Sequence, residues 1–194
     1  MPRWIPGKAV DIMLTEPREM TLRSGGQVTI RSAVAEDAES LCAHRTITSA
    51  ETYFMSRYPE ECNYDINVMK ANLTEIAEDP KCFMVTAFLE GRVVADLGVS
   101  YVRRYLKYCH RAYLGVSIQQ SCCNLGLGGI MLEIAIEQSR KNGFEQLELG
   151  TFEDNARALH LYDKHGFRRY GVQPRAFKLK DGTYRDEVIM VKML

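Results

Sequence analysis

The chain has 194 residues, 46% hydrophobic and 26% charged, which suits one globular core and excludes a disordered or fibrous polypeptide. Its 25 basic and 25 acidic residues cancel, so no overall charge draws it to nucleic acid or to a membrane surface, and no apolar run approaches a membrane span. Six cysteines without a C-x-x-C pair and four histidines without ligand spacing predict reduced thiols and no metal site; with no signal-peptide pattern at the start, a cytoplasmic location is expected.

Residues 1–19 carry three prolines and little periodicity, and are expected to form an N-terminal arm on a single domain spanning 20–194. The segments TLR and QVTIR flank Ser24, Gly25 and Gly26 and read as a hairpin. Ala35 to Thr48 is a helix candidate with Ala38, Leu41 and Cys42 on one side. Ser49 to Asp65 then mixes Tyr53, Phe54, Tyr58 and Tyr64 with Glu51, Glu60, Glu61 and Arg57. Such a segment is either a pocket wall suited to capturing an amine or a packed connection.

Asp65 to Glu78 is helical again, ended by Pro80. CFMVTAFL and VVADLGVSYV, joined by Glu90, Gly91 and Arg92, make a hairpin whose near-continuous hydrophobicity implies cover on both faces. Asp96 within it is either a strand-end polar group or a buried carboxylate with a raised pKa; the former is preferred, because acids are seldom buried without partners. The basic run RRYLKYCHR reads as a solvated hairpin tip.

Leu114, Val116 and Ile118 alternate as in a strand, a polar bend follows, and Gly126, Gly128 and Gly129 open a helix that Gly143 closes. Strand, glycine turn and helix together favour an anion, because the first helical amides lack partners and carry the positive end of the dipole. A short strand from Phe144 to Phe152 completes a parallel βαβ unit. Asp154 or Asn155 caps a helix through Ala158, Leu161, Tyr162 and His165 that Gly166 terminates. A strand begins at Phe167, and the Asp181–Gly182 turn leads to a last one over Tyr184 to Met193.

The segments GVSIQQSCCNLGLGG and LELGTFEDNARALHLYDKHGFRRYG carry a resemblance to the GNAT superfamily of acetyl-CoA-dependent N-acetyltransferases. Its second block, Asn-x-x-Ala-x-x-Leu-Tyr-x-x-x-Gly-Phe, is met at every spacing by Asn155, Ala158, Leu161, Tyr162, Gly166 and Phe167. The resemblance covers residues 20–194. It implies a mixed α/β fold: a mostly antiparallel central sheet with a parallel, splayed pair of strands at the acetyl-CoA site, flanked by helices. Two positions depart from the pattern. The Gln or Arg opening the first block falls at Cys123, and a glutamate base that some members carry falls at Gly150.

By the same resemblance, acetyl-CoA is the cosubstrate, without a metal. Its pyrophosphate would meet the amides of Cys123, Asn124, Leu125, Gly126, Leu127, Gly128 and Gly129, and its thioester would bond main chain near Val116 on the strand ending at Ile118. Asn155 would hold the pantetheine arm, and Tyr162 would be the general acid and touch the cofactor. A base or desolvation must help as well, since an amine with a pKa near ~10.4 is almost wholly protonated at neutral pH. Glu148 is taken as the catalytic candidate beside Glu153, Asp96 and the acids of the 49–65 segment. An acyl-cysteine route through Cys122 or Cys123 is the less direct alternative. The expected function is acetyl transfer to a primary amine of a small molecule. A peptide or protein N-terminus as acceptor, or a non-catalytic CoA-binding module, are the competing readings. The edge left by the last hairpin makes a homodimer possible on this reading.

Overall fold

The computed structural model describes residues 17–194. Eight strands form one sheet: β1 (Arg18–Thr21), β2 (Gln27–Arg31), β3 (Phe83–Leu89), β4 (Arg92–Tyr101), β5 (Arg111–Ile118), β6 (Gln146–Phe152), β7 (Arg168–Lys178) and β8 (Tyr184–Met193). Four α-helices accompany them: α1 (Ala38–Glu51), α2 (Ile66–Glu78), α3 (Leu127–Lys141) and α4 (Ala156–Lys164). Most of the expected arm lies outside the described residues. Its end, Arg18 and Glu19, already belongs to β1, where Thr29 Oγ1 donates to Glu19 Oε1 at 2.9 Å.

Local chemistry sets most boundaries. Asp65 caps α2, accepting from the amides of Asn67 (2.8 Å) and Val68 (3.3 Å). A bidentate pair between Arg31 and Asp37, at 2.6 and 2.8 Å, pins the 3₁₀ turn that leads into α1. The β3–β4 connection is shorter than its sequence suggests: Glu90 and Gly91 alone make the turn, both with positive φ, and Arg92 already pairs with Leu89.

The strand order is β1-β2-β3-β4-β5-β6-β8-β7, with every pairing antiparallel except β5–β6. This is the GNAT-like architecture expected from the sequence. The last hairpin folds so that β8, not β7, lies against β6, placing Glu187 opposite Phe152.

The sheet separates two apolar cores. Met84 and Phe88 of β3 pack with Leu41, Met69 and Leu73 of α1 and α2. Phe83, Val85 and Ala87, of opposite parity, pack with Leu127, Met131, Leu159 and Tyr162 of α3 and α4. Both faces are covered, hence the unbroken hydrophobic runs of β3 and β4.

Asp96 overturns the preference for an exposed strand end. It lies mid-strand and 6% exposed, and finds the partners a buried acid needs: Arg45 Nη2 at 3.0 Å and Thr86 Oγ1 at 3.3 Å. Burial raises its pKa while Arg45 opposes the rise.

Candidate active site

β5 and β6 pair only over Arg111–Tyr113 and Gln146–Glu148 and then splay apart. Into the gap opens a cleft of about 1450 Å³ that passes from one face of the sheet to the other. The amide of Gln119 donates to Val94 O at 2.9 Å, and antiparallel bonds alternate, so the N–H groups of Val116 and Ile118 turn away from β4 and into the splay. Those are donors placed to meet a polarised carbonyl oxygen.

Below them the chain makes a 3₁₀ turn, Gln120–Cys122, before α3. The residue that caps α3 is Gly126, whose φ of 93° is a conformation a side chain would strain. Asn124 is also left-handed, at φ 61°. Among the described residues no backbone acceptor takes the amides of Asn124, Leu125 or Gly126, and the first turn of α3 leaves those of Leu127, Gly128 and Gly129 without intrahelical partners. The set fits a pyrophosphate. Cys123 does not contribute an amide, because its N–H is spent on Gln120 O at 3.1 Å. Its thiol is also a poor nucleophile: burial raises its pKa, and the thiol leans on the carbonyls of Gln119 and Ile118.

Asn155 caps α4 by accepting from the amide of Ala158 at 3.2 Å, and its remaining NH₂ donors are without a partner among the described residues. Tyr162, 6% exposed, lines the cleft with its ring edge-on to Phe167 at 5.8 Å. Burial, reinforced by Tyr113, pushes its phenol well above the ordinary range, so it stays protonated and can serve as a donor.

Residues 43–167 match the model of the acetyltransferase (GNAT) family. The chain belongs to that family. The acetyltransferase is 27% identical over 119 residues to the L-amino acid N-acetyltransferase AaaT of Escherichia coli (strain K12), covering 61% of this chain and 72% of that protein. It superposes on an acetyltransferase of the GNAT family from Streptococcus pneumoniae with a TM-score of 0.82 at 30% identity, over 86% of this chain and 99% of the other. A phosphinothricin acetyltransferase from Sinorhizobium meliloti, in complex with AcCoA, shares the fold at a TM-score of 0.75 and 20% identity, over 86% and 88% of the two chains. The present chain is accordingly an acetyl-CoA-dependent N-acetyltransferase.

Not every expected residue of the acetyltransferase reaches its cleft. Glu148 is absent from the lining; Arg111 Nη2 holds it at 2.7 Å, Gln146 Nε2 at 2.8 Å and Tyr170 Oη at 3.4 Å. The Arg111 guanidinium keeps its carboxyl below the usual range, which makes it a weak proton acceptor. Glu153 is likewise off the cleft and accepts from the amide of Asp186. The 49–65 segment does wall the cleft, with Phe54, Arg57 and Tyr64, but its acids face elsewhere: Glu51 binds the Gln120 amide, Glu60 pairs with Lys180 and Glu61 binds the Tyr58 amide. Sequence reasoning missed Arg45, Phe177 and Glu187, all of which line the cleft. The lone acid Glu187, sharing parity with Ile189 and Val191, was the available signal.

Proposed function

We propose that this acetyltransferase moves acetyl from acetyl-CoA to the primary amine of a small, amino-acid-like molecule by direct attack, with Tyr162 as the acid that protonates the departing thiolate. When bound, acetyl-CoA supplies the activated acyl group. The amides of residues 124–129 hold its phosphates, the Asn155 amide its pantetheine arm, and the inward N–H groups of Val116 and Ile118 its thioester oxygen. Direct attack is supported by the raised pKa of Cys123, which argues against an acyl-cysteine. Six free cysteines suit a reducing cytoplasm.

The observation that carries the acceptor size is the strapping of the 49–65 segment. Tyr53 Oη donates to Asp154 Oδ2 at 2.7 Å, the amide of Lys180 donates to Tyr58 Oη at 2.9 Å, and Lys180 pairs with Glu60. These contacts join the segment to the β6–α4 loop and the β7–β8 turn. Behind them Phe54, Phe152 and Phe177 form an aromatic wall, Phe152 stacked on Phe177 at 3.8 Å. A walled pocket favours a compact acceptor over a peptide in an open groove. The relatives named for amino-acid and phosphinothricin acetylation support the same class.

Initial rates with free amino acids and simple amines, measured beside peptides bearing the same N-terminal residues, test the reading. Turnover confined to peptides overturns the small-molecule acceptor. Stabilisation by acetyl-CoA without turnover on any amine overturns catalysis and leaves a CoA-binding module.

A further inference from the structure

Transfer to an amine needs a proton acceptor, and the cleft holds few free carboxylates. Five acids line it: Glu75, Asp79, Asp96, Glu133 and Glu187. Asp79 is engaged by Arg104 at 2.7 Å and by two amides, and Asp96 by Arg45. Glu75 is on α2, and Glu133 is on α3 with His165 Nε2 at 3.7 Å, so neither is on a strand of the splayed pair or next to it in the sheet. Glu187 is on β8, directly beyond β6, and its carboxylate has no hydrogen bond or ion pair among the described residues.

The side chain of Glu187 turns back across β6. Its carboxyl carbon lies 2.7 Å from where a Cβ on Gly150 would stand, and its Oε1 lies closer still. A side chain at position 150 would displace the carboxylate from that space. Tyr113 Oη borders the same point, 3.1 Å from the Gly150 amide that donates to it. The carboxylate, the tyrosine and the glycine thus meet in the gap between β5 and β6. All three are on the α1–α2 face of the sheet, as their parity relative to the core residues Leu114, Leu149 and Val188 requires. Tyr162 approaches the gap from the α3–α4 face.

We propose that Glu187 is the general base of the transfer, taking the proton from the acceptor's ammonium on the face of the sheet opposite Tyr162. The assignment rests on the transferase reading above. Glu187 takes one proton from the ammonium; the freed nitrogen bonds to the thioester carbonyl carbon; the C–S bond breaks, and the sulfur keeps its electron pair and accepts the Tyr162 proton. The second N–H proton, lost as the amide forms, restores the phenol, and Glu187 returns its proton to solvent. One amide, one thiol and one proton result.

Burial raises the Glu187 pKa, which brings the base closer to the group it must deprotonate. The titratable groups around it are accounted for. Tyr113 faces it from β5, and Tyr170 of β7 is bonded to the Glu148–Arg111 pair. Arg185, earlier on β8, is committed to Asp154 at 3.0 Å, and Arg45 of α1 to Asp96. No cation therefore neutralises the carboxylate among the described residues.

The test is Glu187→Gln, assayed across pH with the best amine substrate. The expected loss in kcat/KM is about 100-fold or more at neutral pH, with the thermal stabilisation by acetyl-CoA unchanged. The variant depends on amine that is already neutral, so its deficit should shrink about tenfold per pH unit toward the amine pKa. Glu187→Ala combined with Gly150→Glu, which delivers a carboxylate from β6 into the vacated space, should recover activity over Glu187→Ala alone. Activity of Glu187→Gln within about threefold of wild type, or a deficit equal at every pH, overturns the assignment while the transferase stands. Wild-type protein inactive on every amine overturns both.

Discussion

His44 Nε2 lies 2.8 Å from Ser117 Oγ, joining the middle of α1 to the end of β5 where the strands splay. His44 is fully buried, and its Nδ1 meets the side-chain amide of Gln119 at 3.3 Å. Burial, and secondarily the nearby Arg45, lowers its pKa to about 4. The ring is therefore neutral at physiological pH, a polar strut between the acceptor side of the cleft and the strand that lines it.

That strut makes stability depend on acid. The folded pKa is below the unfolded value of 6.5, so the contribution is fully present above about pH 6.5 and is lost as pH falls toward about 4. The total is on the order of 3 kcal/mol, of which about 2 kcal/mol should be gone by about pH 5. Urea midpoints at about pH 7.5 and about pH 5 should fall further for wild type than for His44→Gln. Equal losses would remove His44 as the titrating group.

Arg45→Met strands Asp96 in the core. The cost should be about 3 kcal/mol, at the low end for a broken buried pair because a third of Arg45 is open to water. Adding Asp96→Leu should regain part of that loss, since the desolvated carboxylate goes with it. Chemical denaturation near neutral pH reads both. A double variant less stable than Arg45→Met would show the pair to be uncoupled.

Tyr162→Phe removes only the phenol from a buried ring. Turnover should drop about 100-fold or more while the acetyl-CoA-induced rise in Tm persists. Unchanged turnover would free Tyr162 from the role of acid and leave it as packing against Phe167.

The local part of this enzyme follows from short-range chemistry along the chain. The β5–α3–β6 unit, the turn capped by Gly126 and the Asn155–Phe167 block were legible because each depends on contacts within a few residues: helix caps, unpaired first-turn amides, a glycine's backbone freedom. The alternation of Leu114, Val116 and Ile118 marked β5 as a strand, and the resemblance to the family nominated Val116 and Ile118 within it. The acids were not legible in this way. Whether a carboxylate faces a cleft or an arginine depends on registers between strands far apart in the chain. Glu148 looked available until the β5–β6 register set Tyr113 beside it and Arg111 paired with it. Asp96 looked exposed until α1 brought Arg45 over β4. Glu187 had no motif to announce it. Only the insertion of β8 between β6 and β7 carried its carboxylate over Gly150, because side-chain direction is set by local alternation, whereas the neighbour it meets is set by which strand packs alongside.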